Sequence, residues 1–296
     1  MRMGSRRAAI AFVAPSLLCL AGVIGYPLFE AVSASLYHWN VVSGVHRWAG
    51  LKNFVHILTD PDTGQVAIVT LIYTALSVAI ELVLGYALAL AFRAGLKRGL
   101  PGFPLLRVIL CLPIVIAPLI WAFYFRSMYS PQFGAFNIAL SWFGIPPVPW
   151  VNDPSLALYS LVAADVWQWT PFMFAVILAG QMTLPAEIGE AARVDGASAF
   201  QVQWFIELPL LKPILLVALL LRLIDAVKNI DLFIIITQGG PGTATEVLNY
   251  YAFRTSFQQF QVGRGSALAL IVLAVIMILV MLLLGTMRGI RNEKAS

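Results

Sequence analysis

Six long apolar runs are the most informative feature of this sequence. A helix needs about 20 mostly apolar residues to cross a bilayer, and only elements that satisfy their own backbone hydrogen bonds are stable in hydrocarbon. The pattern therefore predicts an all-α polytopic membrane protein with six transmembrane helices, forming one transmembrane domain over residues 1–296. The predicted spans cover about residues 8–36, 66–92, 104–126, 156–180, 210–237 and 266–287.

The overall composition agrees with a membrane protein that contacts lipid. Of the 296 residues, 60% are hydrophobic and 11% are charged, whereas soluble domains carry about 25% charged residues. The net charge of +5 predicts no nucleic-acid partner, because the basic residues lie at the ends of apolar runs. Cys19 and Cys111 lie inside apolar runs, so neither a disulfide framework nor a metal site is expected.

Lysine and arginine residues near the ends of the runs predict the orientation. Twelve of them fall on one side of the predicted bilayer and five on the other, and cytoplasmic loops carry the excess of basic residues. Both termini are therefore expected in the cytoplasm, with segments 37–65, 127–155 and 238–265 outside and segments 93–103 and 181–209 inside. The start of the chain resembles a signal peptide, but its apolar run is too long for one, so we expect a retained helix.

The longest predicted cytoplasmic connection, residues 181–209, has a pattern that a passive loop does not need. Glu187 and Glu190 suit the positive end of a short helix, and small and apolar residues recur beside them at three- and four-residue spacing. Gly196 is expected to end or bend this helix, before a second helical piece at about 197–207. The alternative is an amphipathic helix on lipid headgroups, but an anionic inner leaflet would repel its acidic face.

This connection resembles the EAA loop of the permease subunits of binding-protein-dependent ABC importers. The pattern is Glu190-Ala191-Ala192, then Asp195-Gly196-Ala197, then Leu208-Pro209. The resemblance implies a cytoplasmic coupling helix that docks into a cleft of an ATPase subunit and conveys nucleotide-driven closure to the membrane helices. The residues with this ATPase-coupling role would be Glu187, Glu190, Ala191, Ala192, Asp195, Gly196, Ala197, Leu208 and Pro209.

The chain lacks a phosphate-binding loop of the G-x-x-x-x-G-K-[ST] type. We therefore expect it to be no enzyme and to bind no cofactor itself. The resemblance implies a dimer of ATPase subunits as the partner that uses ATP and Mg.

Several further stretches resemble the carbohydrate-uptake branch of these importers, especially the maltose and glycerol-phosphate permease subunit that pairs with a second permease. The resemblance implies a second permease subunit, an extracytoplasmic solute-binding protein, a sugar or sugar-like cargo, and a place in the bacterial plasma (inner) membrane. The loop facing the binding protein would contain Gly239, Gly240, Pro241 and Gly242. The stretches include Tyr26-Pro27, Gly50 to Phe54, Phe133-Gly134, Asn137, Trp167, Pro171, Thr237 to Gly242, Thr245-Glu246, Arg254 to Phe257 and Gly263 to Leu268.

Polar residues inside the predicted spans are the candidates for contact with the cargo. A charge at the bilayer centre costs at least about 2.5–3.5 kcal/mol and usually faces a bundle interior or an aqueous cavity. Carboxylates and amides beside aromatic rings suit a sugar, whose hydroxyl groups need hydrogen bonds. The predicted substrate path contains Asp165, Trp167, Gln168, Trp169, Phe172, Asp225 and Asn229. The predicted intramembrane charge network contains Glu81, Arg222, Lys228 and Asp231.

Two interpretations of these polar residues stay open. Either they line an aqueous path, or Arg222, Asp225 and Lys228 neutralise one another and only pack helices; Glu81 is a candidate salt-bridge partner of Arg222. Asp165 and Asp225 stand where maltose permeases have an amide and an aromatic residue, so a maltose-like cargo is not implied. The positions that match the sugar-contacting residues of those permeases are about Asp165, Trp169, Phe172, Asp225 and Asn229.

Three other functions also stay open. A proton-driven secondary transporter would use Asp165, Asp225 and Glu81 as carriers. A membrane-embedded enzyme would need a base or metal cluster, and the three histidines are expected outside and too scattered for one. A permease of the same superfamily for amino acids or phosphate would share the coupling loop, and the outer-loop resemblance argues against it.

Overall fold

The computed structural model describes residues 3–99 and 102–293, which are mostly helical. Two short strands, Tyr37–Asn40 (β1) and Val45–Trp48 (β2), form an antiparallel hairpin. The α-helices in chain order are Met3–Leu20 (α1), Tyr26–Ser35 (α2), Lys52–Thr59 (α3), Pro61–Lys97 (α4), Phe103–Val115 (α5), Pro118–Met128 (α6), Ala135–Ser141 (α7), Ala157–Thr183 (α8), Ala186–Val194 (α9), Ala199–Gln201 (α10), Leu208–Lys228 (α11), Asp231–Ile236 (α12), Leu248–Phe253 (α13) and Val262–Glu293 (α14). Three π-helical turns continue neighbouring helices and cover Ala21–Gly25, Val202–Glu207 and Arg254–Gln258.

The chain divides into two compact units. The first runs to Gly64 and also includes Tyr251–Ala274, whereas the second comprises Gln65–Tyr250 and the chain from Val275 onward. The long helices α4 and α14 each contribute residues to both units.

The first unit contains the hairpin, which departs from the all-α prediction. Tyr37 pairs with Trp48 across the strands, and its ring stacks on that of His46 with centroids 4.5 Å apart. Alternating aromatic residues on paired strands stabilise such a ribbon. The side-chain amide of Asn53 donates to the carbonyl oxygens of Ser35 and Tyr37 at 2.8 and 2.9 Å, which joins α3 to the end of α2 and the start of β1.

The second unit is built around α8. Of its apolar window 61% is buried, against 44% for α4. Gly85 lets α4 approach α8 closely, since a Cβ there would lie 2.9 Å from the backbone nitrogen of Phe174. Gly180 does the same between α8 and α11, where a Cβ would lie 2.9 Å from Ile214 Cδ1. Small residues at such crossings are typical of helix packing in membranes.

Among the described residues, four helices are long and apolar enough to cross a membrane. They are Ala11–Ser35, Pro61–Leu96, Ala157–Thr183 and Val262–Met287. A bent pair, Leu105–Val115 with Pro118–Met128, brings the number to five if the two count as one span. The six continuous spans of the prediction are therefore not all present as single apolar helices.

The predicted span 104–126 is broken near its middle. Helices α5 and α6 meet at an angle of 92°, and the two linking residues, Ile116 and Ala117, have extended ψ angles of 129° and 137°. Pro118 explains the extended Ala117, because the proline ring disfavours the helical conformation of the residue before it.

The predicted span 210–237 is also broken, where α11 ends at Lys228. Asn229 is extended, with ψ of 126°, and α12 begins at Asp231. Helix α11 carries four charged residues in a length of 21, namely Lys212, Arg222, Asp225 and Lys228, whereas α4 has 37 residues for the same number. Non-helical backbone at membrane depth is tolerated where it is buried in protein or lines an aqueous cavity. The residues around this break are therefore candidates for a functional site.

Candidate functional site

A buried arginine joins the three central helices of the second unit. Arg222 of α11 donates from Nε and Nη2 to the two carboxylate oxygens of Glu81 on α4, at 2.6 and 2.9 Å. The same Nη2 also donates to Asp165 on α8. None of the three side chains has any exposed surface. The planar guanidinium group suits this two-point contact with a carboxylate, and pairing offsets the large desolvation penalty of burying charges.

The charges continue from this cluster towards the surface along α11. Asp225 Oδ2 lies 3.6 Å from Arg222 Nη1, and Asp225 Oδ1 lies 3.2 Å from Lys228 Nζ. The exposed fraction of the side chain rises from 0% at Arg222 to 26% at Asp225 and 59% at Lys228. The buried end of the network thus connects to an exposed charged side chain, which a purely structural core pair does not require.

The break after α11 brings Asn229 to the same cluster. Its side-chain amide donates to the hydroxyl of Tyr73 at 3.2 Å and to Asp165 Oδ1 at 3.3 Å. The side chain of Asn249 donates to the carbonyl oxygen of Lys228, which lies at the end of α11. The bond from Asn249 therefore satisfies a carbonyl group that the broken helix leaves without an intrahelical partner.

Aromatic groups border the cluster on the side of α8. The guanidinium carbon of Arg222 lies 5.1 Å from the ring centre of Trp169, within the range of a cation–π contact. Phe172 meets Trp169 edge to face with centroids 6.2 Å apart. A cation, carboxylates, an amide and ring faces thus converge on one region, and such a set of groups can bind a polyhydroxylated solute.

The structure brings most of the predicted polar residues together, but not all. The side chain of Gln168 donates to the carbonyl oxygen of Ile116 at 3.1 Å, so it supports the bend between α5 and α6. Trp167 lies near Phe125 of α6, with ring centroids 5.4 Å apart. It follows Asp165 by two residues, which places it on another face of α8. Asp231 is the first residue of α12.

The sequence analysis missed the contribution of Tyr73. This residue is fully buried on α4, on the same helix face as Ser77 and Glu81 because the three are spaced four residues apart. That spacing of polar side chains within an apolar run was a signal that could have identified it.

The segment between α8 and α11, residues 184–207, contains the predicted helix, glycine bend and second helix. We call it the coupling segment. None of the residues of α9 is buried, and Gly196 follows it with φ of 89°, a conformation that favours glycine. Ser198 then begins α10 with a reciprocal capping box to Gln201. An exposed helix of small and acidic residues is left available for contact with a protein.

The glycine cluster after α12 forms a compact loop. Thr245 is fully buried and fastens the loop, because its hydroxyl donates to the carbonyl oxygen of Gly240 at 2.7 Å and its backbone N–H donates to that of Gly239 at 3.2 Å. Gly239 has φ of 80°, and a Cβ there would lie 2.8 Å from Tyr250 Cε1. Gly242 has φ of 60° and open space around it. The Gly240–Pro241 peptide bond is cis.

No cluster of three or more metal-ligating side chains occurs within residues 3–99 and 102–293.

Comparisons with known proteins agree with this reading. Residues 81–290 match the family described as binding-protein-dependent transport system inner membrane component. The chain is 38% identical over 230 residues to the trehalose/maltose transport system permease protein of Thermococcus litoralis, covering 78% of this chain and 76% of that one. It is 33% identical over 276 residues to the sulfoquinovosyl glycerol transport system permease protein of Agrobacterium fabrum, covering 93% and 88%.

A similar fold occurs in a solved structure of a bacterial ABC transporter involved in the import of the acidic polysaccharide alginate. The TM-score is 0.83 at 22% identity, and the match covers 97% of both chains. The family that the EAA pattern indicated is thus confirmed. Members of this family are transport components rather than catalytic subunits. The chain belongs to the family of binding-protein-dependent transport system inner membrane components, and it is a multi-pass protein of that membrane.

Proposed function

We propose that this chain is the membrane subunit of an ATP-driven importer that translocates a sugar or sugar-like solute. In this proposal it pairs with a second permease subunit, a dimer of ATPase subunits and an extracytoplasmic binding protein. The ATPase dimer binds ATP and Mg. Six segments cross the membrane, counting the bent pair α5–α6 as one and the broken pair α11–α12 as another, and both termini lie in the cytoplasm.

The exposed helix α9 is the observation that carries this proposal. A chain without a phosphate-binding loop must receive its energy from elsewhere, and α9 buries none of its own residues. Its two acidic residues, Glu187 and Glu190, stand beside small residues that allow close approach of a partner. We infer that Glu187, Glu190, Ala191, Ala192, Asp195 and Gly196 contact the ATPase, and that Ala197, Leu208 and Pro209 shape the return to α11.

The buried cluster supports a role in translocation. It joins α4, α8 and α11, so any rearrangement of these helices must change the contacts of Arg222 with Glu81 and Asp165. Alternating access requires such rearrangements between two packed states. We infer that hydroxyl groups of the cargo bind carboxylate and amide groups of this cluster when the helices separate, with Trp169 and Phe172 as stacking surfaces.

The relatives favour a carbohydrate as the cargo. Their names specify trehalose, maltose and sulfoquinovosyl glycerol, which share sugar rings and many hydroxyl groups. In this proposal the loop of Gly239, Gly240, Pro241 and Gly242 receives the cargo from the binding protein.

The test is reconstitution of the chain in vesicles with its co-purifying permease, ATPase and binding protein. The ligand retained by the binding protein is identified by mass spectrometry and supplied in labelled form. We expect uptake that requires ATP on the side of the vesicle membrane where the ATPase subunits bind. Uptake should stop when the ATPase subunit is omitted. A binding protein that retains an amino acid or phosphate would contradict the sugar cargo.

Proton-driven transport is the second candidate, and the buried carboxylates of Glu81 and Asp165 favour it. It predicts uptake that follows an imposed pH gradient in vesicles containing this chain without the ATPase. The importer proposal predicts no uptake there, so one experiment separates the two candidates.

A further inference from the structure

The coupling segment contacts α4, although the chain connects it only to α8 and α11. Gln203 donates to the hydroxyl of Tyr86, and Arg93 donates to the carboxylate of Glu207. The exposed fractions of the Arg93 and Glu207 side chains are 17% and 11%, so the ion pair is largely shielded from water. Shielding makes the attraction within such a pair less sensitive to salt than that of a surface pair.

Glu207 also adjoins the exposed helix α9. A Cβ placed on Gly189 of α9 would lie 3.7 Å from Glu207 Oε1 and 3.7 Å from Val202 Cγ1. Val202 is buried, so the π-helical turn packs beneath α9. Glu207 therefore lies between the exposed helix α9 and Arg93 on α4.

Helix α4 connects these contacts to the buried cluster. It is continuous from Pro61 to Lys97 and has no proline after its first residue, so it has no built-in hinge between Arg93 and Glu81. Twelve residues of helix separate the two, a distance of about 18 Å at 1.5 Å per residue. A displacement applied at Arg93 is thus conveyed along one stiff element to the carboxylate that holds Arg222.

We propose that Glu207 and Gln203 are positioning residues that attach the coupling segment to α4, so that ATP-driven movement of α9 reaches Glu81 through Arg93 and Tyr86. This inference rests on the proposed function. It adds a lateral route to the direct peptide connection into α11, and it assigns α4 the task of moving Glu81 relative to Arg222.

Charge reversal and charge exchange test this route in the complete reconstituted importer. The variants are Arg93→Glu, Glu207→Arg and the double exchange, with Arg98→Glu as the matched control because Arg98 is exposed just after α4 ends. Uptake and ATP hydrolysis are measured in the same vesicles. Each single reversal is expected to lower the number of solutes moved per ATP by about tenfold, a common size of coupling between sites. The double exchange is expected to recover most of that loss.

The ratio of uptake to ATP hydrolysis distinguishes a defect in transmitting movement from a loss of assembled complex. A transmission defect lowers this ratio, whereas loss of assembly lowers both rates together. Single variants with the wild-type ratio would overturn this inference alone, as would an exchange that recovers nothing. Wild-type vesicles without ATP-dependent uptake would overturn the proposed function and this inference with it. If a reversal prevents assembly, the neutral variants Arg93→Gln and Glu207→Gln replace it, and a wild-type ratio in both would again overturn the route.

Discussion

The side chain of Gln168 on α8 donates a hydrogen bond of 3.1 Å to the carbonyl oxygen of Ile116, the residue that follows α5. This bond replaces a helical hydrogen bond that the backbone loses at the 92° bend. In hydrocarbon no water is available to donate a hydrogen bond to an unpaired carbonyl group, so the amide of Gln168 helps to stabilise the bend at that position.

Replacing Gln168 by Leu is therefore expected to destabilise the protein. Loss of the donor removes the side-chain hydrogen bond of the partly buried Ile116 carbonyl group, and leaving a fully buried acceptor unpaired costs about 1–3 kcal/mol, which is the upper limit here. The measurement is thermal unfolding of the purified protein in detergent. Gln258→Leu is the control, because Gln258 is exposed and its replacement should leave the midpoint nearly unchanged. Equal midpoints for both variants would show that the bend does not depend on this bond.

Removing the central cation should destabilise the protein more than removing either of its buried partners. Arg222→Ala leaves the carboxylates of Glu81 and Asp165 buried without their cation, and such a loss costs about 3–5 kcal/mol. Glu81→Gln should cost less, because Arg222 keeps Asp165. The same unfolding measurement applies, with Lys228→Ala as the control.

Lys228 belongs to the same network but its side chain is 59% exposed. Exposed ion pairs contribute about 0–1 kcal/mol, so its loss should change stability little. Comparable losses for Arg222→Ala and Lys228→Ala would contradict the view that burial determines the contribution of each charge.

The close crossing of α4 and α8 gives a third prediction. Gly85→Ala should destabilise the protein and reduce transport, since its Cβ would lie 2.9 Å from the backbone nitrogen of Phe174 and 3.0 Å from the carbonyl carbon of Met173. Overpacking of this kind costs about 1–3 kcal/mol. Gly64→Ala on the same helix is the control, because nothing lies within 4 Å of its added Cβ. A wild-type unfolding midpoint for Gly85→Ala would mean that the two helices separate without cost.

Asp225 gives a prediction that separates transport from folding. Asp225→Ala is expected to abolish uptake, because this carboxylate connects buried Arg222 to exposed Lys228 and is accessible to a solute. Assembly should persist, since Arg222 retains Glu81 and Asp165. The measurements are uptake in vesicles and co-purification of the partner subunits, with the exposed Asp62→Ala as the control. Normal uptake by Asp225→Ala would remove this residue from the translocation path.

Much of the candidate site was predictable because its residues break a strong rule. A charged or amide side chain in an apolar run is expensive, so Glu81, Asp165, Arg222 and Asn229 stood out individually. Their assembly into one cluster was not predictable, because it depends on the angles at which α4, α8 and α11 cross. Tyr73 illustrates the remaining gap: its four-residue spacing from Ser77 and Glu81 marks a polar helix face, but its hydrogen bond with Asn229 is known only from the tertiary structure.

The amino-acid sequence was sufficient to predict the membrane environment, the helical character and the family, because these follow from local properties. Apolar run length decides what hydrocarbon can accept, and the EAA pattern with its Gly196 bend is contiguous. The positions at which the third and fifth apolar runs break, and the polar groups that contact one another, are visible only in the folded chain. The break at Ala117 needs Pro118 and the support of Gln168, while the contacts of Glu81 with Arg222 and of Glu207 with Arg93 join residues more than 100 positions apart. Such contacts depend on how the helices pack against one another, which cannot be inferred from the positions of these residues in the sequence.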